Sequence, residues 1–73
     1  MASLLFAQGP DKRIKIINEQ YRAGEQLLLE KKYKLALRAF DKVLKLNPDH
    51  IASYRASGIC YELLGSHAKA LSS

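Results

Sequence analysis

The side chains that could support metal binding or nucleophilic catalysis are few: two histidines, a single cysteine, and scattered hydroxyls and carboxylates. His50 follows a proline-containing turn and His67 follows Ser66, and neither histidine has a second ligand at a spacing such as H-x-x-x-H. The single cysteine, Cys60, excludes an internal disulfide and a thiolate metal cage. All four glycines stand alone, so the sequence contains no glycine-rich phosphate loop. The sequence therefore predicts no catalytic residue, no cofactor and no metal site, and it predicts turn and cap roles for both histidines.

Basic residues recur at three- and four-residue steps in the middle of the chain, and together they are called the basic stripe. They are Lys31, Lys34, Arg38, Lys42 and Lys45. On a helix this spacing places them on one face, which could attract nucleic acid, an acidic protein or anionic lipid. Asp41 interrupts the edge of the stripe, and no aromatic residue interleaves with it to stack on bases. We therefore expect a solvated outer face, and binding to nucleic acid or membrane is disfavoured.

Length and composition are those of one small soluble globular domain. The chain has 73 residues, of which 48% are apolar and 26% are charged, and a domain this short buries only about 60% of the surface of its unfolded chain. The formal charge of +5 favours acidic partners without selecting among them. No stretch reaches the roughly 18 apolar residues of a membrane helix, and residues 1–7 lack the basic leader of a secretory signal. We therefore expect a cytoplasmic protein, with the nucleus as the alternative.

Apolar residues at helical steps, and the turn residues between them, predict three helices and the start of a fourth. Gly9-Pro10 is the strongest break in the N-terminal half, so residues 1–10 are predicted to be a flexible leader. The first helix is then predicted to begin at Asp11 and to end near Glu30. The second helix is predicted from Tyr33 to Leu46.

The turn Asn47-Pro48-Asp49 is predicted to separate a first helical hairpin, residues 11–48, from a second and incomplete unit, residues 49–73. Asp49 is expected to cap the third helix, which ends near Leu64. Gly65-Ser66 is expected to form a turn, with the glycine in a left-handed conformation, before a fourth helix begins.

The sequence resembles itself when it is shifted by about 34 residues, a period typical of stacked helical repeats. Small residues align with small residues under this shift: Gly24 aligns with Gly58, and Ala36 aligns with Ala70. A glycine in the middle of a helix costs about 0.5–1 kcal/mol relative to alanine, so Gly24 predicts a close approach between two helices. Large apolar residues align as well, and the pairs are Ile17 with Ile51, Leu29 with Leu63 and Leu37 with Leu71.

Small, aromatic and turn residues recur at matching places in the two units. They are Ala23-Gly24, Leu27, Tyr33, Ala36, Phe40 and Asn47-Pro48 in the first unit, and Tyr54, Ser57-Gly58, Tyr61, Gly65 and Ala70 in the second. This combination resembles the tetratricopeptide repeat. Two residues of the first unit depart from that pattern. Gln20 stands where a bulky apolar residue is usual, and Leu27 stands where a tyrosine is usual. In the second unit, Tyr54 and Tyr61 occupy the equivalent positions and restore the pattern. The resemblance implies an all-α, right-handed stack of about one and a half antiparallel helix-turn-helix repeats, acting in protein interaction or as a scaffold and without enzymatic activity.

The resemblance also implies a concave groove, formed by the first helix of each unit, in which a peptide or helix of a partner protein lies. The predicted groove residues are Asn18, Tyr21, Glu25 and Leu28 on the first helix, and Ala52, Arg55, Ile59 and Glu62 on the third. Each set steps by three or four residues and therefore occupies one helix face. Tyr21 and Leu28 are expected to make apolar contacts, and Glu25, Arg55 and Glu62 are expected to orient the partner. The alternative is that much of this face packs against the leader or a neighbouring chain.

A subgroup of this family clamps the C-terminal carboxylate of chaperones with a lysine and two asparagines. The resemblance places Tyr21, Glu25 and Ala56 at the corresponding positions of this chain. Because Glu25 would repel a carboxylate, chaperone binding of this kind is disfavoured.

Two alternatives of other classes stay open. The chain could be a fragment of a longer repeat protein with no activity of its own, or a basic adaptor that binds nucleic acid or anionic membrane through the basic stripe. Since repeats of this kind generally need about three units to be stable alone, we also expect self-association through the uncovered apolar face of the third helix.

Overall fold

Three α-helices make up the fold. The structure is a computed structural model that describes residues 2–72, with side chains described at residues 12–69 and 71. The helices are α1 (Ala2–Leu29), α2 (Tyr33–Leu46) and α3 (Ile51–Ser72). No strand occurs within residues 2–72, which confirms the predicted all-α class. The bounds of α2 agree with the prediction.

The middle helix, α2, holds the other two together. It packs against both α1 and α3, whereas α1 and α3 make few direct contacts with each other. Short turns connect consecutive helices, so α2 runs antiparallel to both neighbours. Since α1 and α3 are longer than α2 and extend past it, the Cα positions span 61 × 20 × 13 Å.

The core lies on the inner face of α2, where small and large side chains alternate. Ala36, Phe40 and Val43 are fully buried, and they recur at the three- and four-residue steps of a helix face. Ala56 and Cys60 of α3 join Ala36 and Phe40 in one apolar cluster. Burial raises the pKa of the Cys60 thiol, so this cysteine behaves as a small apolar residue, as predicted.

The close approach predicted at Gly24 is confirmed, and its partner is Phe40. A Cβ atom at Gly24 would lie 2.5 Å from Cε1 and 2.7 Å from Cζ of the Phe40 ring, well inside van der Waals contact. The ring therefore fills the space that any side chain at position 24 would need. The matching glycine of the second unit differs, because a Cβ at Gly58 would meet no described atom within 4 Å. The side chain of Ala70 lies outside the described residues, so its predicted equivalence with Ala36 stays a prediction.

The turn between α1 and α2 holds a lysine in the left-handed conformation. Lys31 has φ 64°. Its N–H donates to the carbonyl of Leu28 at 3.0 Å, and the N–H of Lys32 donates to the carbonyl of Leu27 at 2.9 Å. These two bonds form the Schellman motif, which satisfies the last carbonyls of a helix. The backbone of Lys31 is thus held at a fixed place between the two helices.

The third helix is capped by His50, and the prediction of Asp49 as its cap is wrong. The carbonyl of His50 accepts the N–H of Tyr54 at 3.3 Å, and His50 Nδ1 accepts the N–H of Ser53 at 3.2 Å. Since Nδ1 is an acceptor, the buried Ser53 hydroxyl donates to it as well, at 2.8 Å. The N–H of Asp49 instead donates to Asn47 Oδ1 at 3.1 Å, closing the preceding turn.

The predicted start of the first helix at Asp11 is also wrong, because α1 begins at Ala2 and residues 2–10 belong to it. A proline in a helix interior removes one backbone hydrogen bond and costs about 3 kcal/mol, but it leaves the remaining bonds intact. The residues before Gly9-Pro10 are mainly alanine, leucine and glutamine, which favour helices. The helix therefore continues across Gly9-Pro10 against the local preference of these two residues, with helix-favouring residues on its N-terminal side.

The turn predicted at Gly65-Ser66 is wrong as well, because α3 continues to Ser72 and no described glycine has a positive φ. A fourth helix would have to bury apolar side chains against α3. Residues 66–72 contain a single large apolar residue, Leu71, and it is 75% exposed. One such side chain offers too little burial to offset the cost of a hairpin turn.

Replacing Gly24 with alanine should destabilise the protein, because the new Cβ would displace the buried Phe40 ring. Overpacking of this kind costs about 1–3 kcal/mol, and the better helix propensity of alanine returns up to about 1 kcal/mol. We expect a net loss of about 1–2 kcal/mol in the free energy of unfolding, measured by urea denaturation followed by circular dichroism. Gly58→Ala is the matched control, and it should gain about 0.5–1 kcal/mol because its surroundings are open. Equal effects of the two substitutions would contradict this packing.

Replacing His50 with alanine should cost about 1 kcal/mol, because the N-terminus of α3 loses its side-chain cap. His50→Asn supplies a good cap without the imidazole ring and should recover most of that loss in the same denaturation experiment. The His50 ring also lies 5.2 Å from the Tyr21 ring, measured between centroids. If asparagine proves as destabilising as alanine, the ring contact rather than the cap is what stabilises this end of α3.

Candidate functional site

A cleft lies between α1 and α3 and is here called the groove. Its volume is about 350 Å³. Most of the predicted groove residues line it, and these are Tyr21, Glu25, Leu28, Ala52, Arg55 and Ile59. Two predicted residues lie elsewhere. Asn18 lines a shallow depression along α1 with Ile14 and Arg22, and Glu62 is exposed on α3 beyond the groove.

The groove has a small side chain at its base that the prediction did not include. Ala56 lines the groove and also belongs to the buried core cluster. It occupies the position between Ala52 and Ile59 on the same face of α3, so the spacing that selected those two residues also points to Ala56. Two alanines on one wall keep the groove open, because larger side chains would fill it.

The core fixes the aromatic residue of the groove. The Tyr21 ring lies 5.7 Å from the Phe40 ring and 5.2 Å from the His50 ring, in tilted arrangements. Aromatic pairs at such distances and angles attract each other beyond the effect of buried area. Tyr21 is therefore held by α2 and by the cap of α3, and it presents a preorganised surface to the groove.

The charges of the groove are balanced and lie on opposite walls. Glu25 belongs to α1 and Arg55 to α3, and both side chains are exposed. Exposed apolar surface lies beside them, since Ile59 is 47% exposed. This arrangement suits a ligand that offers apolar side chains together with charged groups of both signs. Glu25 and Ala56 both line the groove, and neither supplies the lysine or asparagine of a carboxylate clamp.

All members of the basic stripe are exposed. At its far end the ammonium of Lys45 lies 3.3 Å from the carboxylate of Asp41, so part of the charge there is neutralised. Lys31 and Lys34, at the near end, lie beside the turn between α1 and α2. The positive charge of the stripe is thus concentrated at the beginning of α2.

Within the described part of the chain, no group of three or more histidine, cysteine, aspartate or glutamate residues could hold a metal ion. Ser53 and His50 form a hydroxyl–imidazole pair, which sequence reasoning missed although the three-residue spacing across a helix start allows it. Ser53 is fully buried, so its Oγ has no access to a substrate. The pair is explained by helix capping, and Cys60 is equally buried. Among the helices of the described residues, none is long and apolar enough to cross a membrane.

Residues 18–50 match the sequence family described as the tetratricopeptide repeat. No curated protein and no solved structure matches the chain. The matched segment contains the second half of α1, the turn, α2 and the connection to α3, so it includes the Gly24–Phe40 contact and one wall of the groove. Residues 18–50 are thus similar in sequence to the tetratricopeptide repeat, a type of helical hairpin that serves in general as a protein-interaction module.

Proposed function

We propose that the chain binds a peptide or helix of a partner protein in the groove between α1 and α3. The main support is the lining of the groove. It combines three apolar or aromatic side chains with one charge of each sign, and these residues are Tyr21, Leu28, Ile59, Glu25 and Arg55. Hot spots of protein interfaces combine apolar or aromatic anchors with a few charges that set orientation. The tetratricopeptide repeat at residues 18–50 supports the same function at the level of the family.

The mechanism is burial of the partner's apolar side chains, oriented by charge. Apolar side chains of the partner would cover the exposed part of Ile59 and contact Tyr21 and Leu28. Each Å² of apolar surface removed from water contributes about 25 cal/mol, from which association subtracts its entropic cost. Glu25 and Arg55 favour a partner with a cationic group on the α1 side and an anionic group on the α3 side. No catalytic step enters this function.

The uncovered face of α3 supports a second proposal, self-association of the chain. Ile17 of α1 is 8% exposed, whereas its counterpart Ile51 of α3 is 66% exposed. Tyr54 and Tyr61 share that helix face with Gly58 and are 55% and 67% exposed. A second copy could cover this face with the same face of its own α3, as in a two-fold symmetric dimer.

Peptide selection tests the groove. A random peptide library displayed on phage should yield binders to the native chain, and Ile59→Glu should lower their affinity by about ten-fold or more, because it places a charge against their apolar side chains. Arg55→Glu should change which charged residues are selected. Ile14→Glu, a change at another exposed apolar residue outside the groove, is the control and should have little effect. A library that yields no binder, or binders insensitive to Ile59→Glu, would refute the proposal.

Analytical ultracentrifugation tests self-association. We expect the native chain to dimerise as its concentration rises, and Tyr61→Lys to remain monomeric because each copy would place a lysine in the apolar contact. Leu29→Lys is the control, since Leu29 is 79% exposed on α1 and lies away from this face. A native chain that stays monomeric at every concentration would rule the dimer out, as would a Tyr61→Lys variant that still dimerises.

A further inference from the structure

A second cleft lies at the turn between α1 and α2 and is separate from the groove. Its volume is about 310 Å³, and the C-terminal half of α3 forms its other side. We call it the turn cleft. Tyr33, Leu35 and Leu64 form its apolar wall, and Lys31, Lys34 and His67 surround them. The continuation of α3 beyond Gly65 is what brings His67 to this place.

The wall of the turn cleft offers apolar surface to a ligand. Leu35 is 46% exposed, although it belongs to the same helix as the buried core, and Tyr33 and Leu64 are half-buried. A large apolar side chain that covers these residues would remove apolar surface from water on both partners. A free inorganic anion has no apolar part and would leave this apolar wall exposed to water, so it does not suit the cleft.

The charge of the turn cleft is positive and largely uncompensated. Lys32, which also lines the cleft, lies 3.2 Å from Glu30. A hydrogen bond from Gln26 and the charge of Lys32 lower the pKa of Glu30, so this carboxylate is ionised and engaged. Among the described residues, no carboxylate pairs with Lys31 or Lys34, and none lines the cleft. Two ammonium groups therefore face solvent beside an apolar wall.

The beginning of α2 adds to the same positive field. Lys32, at the N-cap position, makes no side-chain capping bond, and the first turn of α2 contains no acidic residue. Helices prefer negative charge at this end, where the partial positive charge of the backbone N–H groups is concentrated. Lys34 in the first turn is positive, so the helix end has no negative side chain of its own there. A carboxylate of a ligand would therefore be attracted both by the lysines and by the N–H groups of the helix end.

We propose that the turn cleft binds an acidic segment of a partner protein. One large apolar side chain of that segment contacts Tyr33, Leu35 and Leu64, and flanking carboxylates pair with Lys31 and Lys34 at the beginning of α2. Both the positive charge and the apolar wall contribute to the affinity, so an acidic segment without an apolar residue binds more weakly. This site shares no residue with the groove and does not depend on the groove's function.

Two labelled peptides test the proposal by fluorescence anisotropy with the full chain. The first has a central leucine flanked on each side by aspartate and glutamate residues, and the second has serine in place of leucine. We expect the leucine peptide to bind about ten-fold more tightly, because only leucine contacts the apolar wall. Equal affinities would overturn the proposal. This comparison uses the native chain, so it decides the matter whatever the variants below do.

Matched charge variants locate the site. Lys31→Asn with Lys34→Gln should weaken binding of the leucine peptide by about ten-fold, and asparagine is chosen because it tolerates the left-handed conformation of position 31. Lys42→Gln with Lys45→Gln removes the same charge from the far end of the stripe and should weaken binding much less. Circular dichroism checks that both variants are folded. Equal losses in the two variants would overturn the proposal in favour of general attraction to the basic stripe.

Competing ligands and a groove variant complete the test. Phosphatidylserine vesicles and single-stranded RNA should each displace less peptide than an equal concentration of unlabelled leucine peptide. Displacement by either at lower concentration would overturn the proposal and assign the charge to a membrane or to nucleic acid. Ile59→Glu should leave the peptide affinity unchanged, whereas a loss there would place the peptide in the groove.

Discussion

The contact between the Phe40 ring and the backbone of α1 at Gly24 determines how the three helices assemble. Because Gly24 has no Cβ, the ring lies directly against α1, and the fully buried Phe40 shares one apolar cluster with Ala56 and Cys60 of α3. A single side chain of α2 is therefore involved in both helix interfaces. Few large side chains are fully buried among residues 12–69, so the loss of one such contact affects the whole core.

The same arrangement accounts for the groove. The helices α1 and α3 make few direct contacts, so their separation is determined by the side chains of α2 between them. Small residues, Ala36 and Ala39 on α2 and Ala56 on α3, let the helices approach α2 while a cleft stays open above it. Tyr21 connects core and groove, because its ring packs against Phe40 and His50 and also lines the cleft. A substitution at Phe40 or His50 would therefore remove a packing contact of a residue that lines the groove.

The sequence predicts those features that depend on local pattern and on the internal repeat. The bounds of α2 follow from helical spacing, and the close approach at Gly24 follows from a glycine in the middle of a helix. The lining residues from Tyr21 to Ile59 are instead implied by the resemblance to the tetratricopeptide repeat. Features that depend on competition between small energies were not predictable. Pro10 within α1 and the continuation of α3 through Gly65 depend on whether a break gains enough packing to replace the lost helical bonds. The cap of α3 is predicted at Asp49 rather than at His50, because aspartate is a more common cap than histidine, although a turn or cap role is also predicted for His50.

The two aligned glycines show that a position in a repeat acquires its role from the surface opposite it. Gly24 and Gly58 align in the sequence, yet only Gly24 has an aromatic ring against it. The face around Gly58 is left with exposed tyrosines, and the helix that would have turned back at Gly65 instead extends along the turn between α1 and α2. That extension creates the turn cleft, whose positive charge differs from the balanced charge of the groove. Because the two surfaces differ in charge and in the residues that form them, ligands of different composition would complement them.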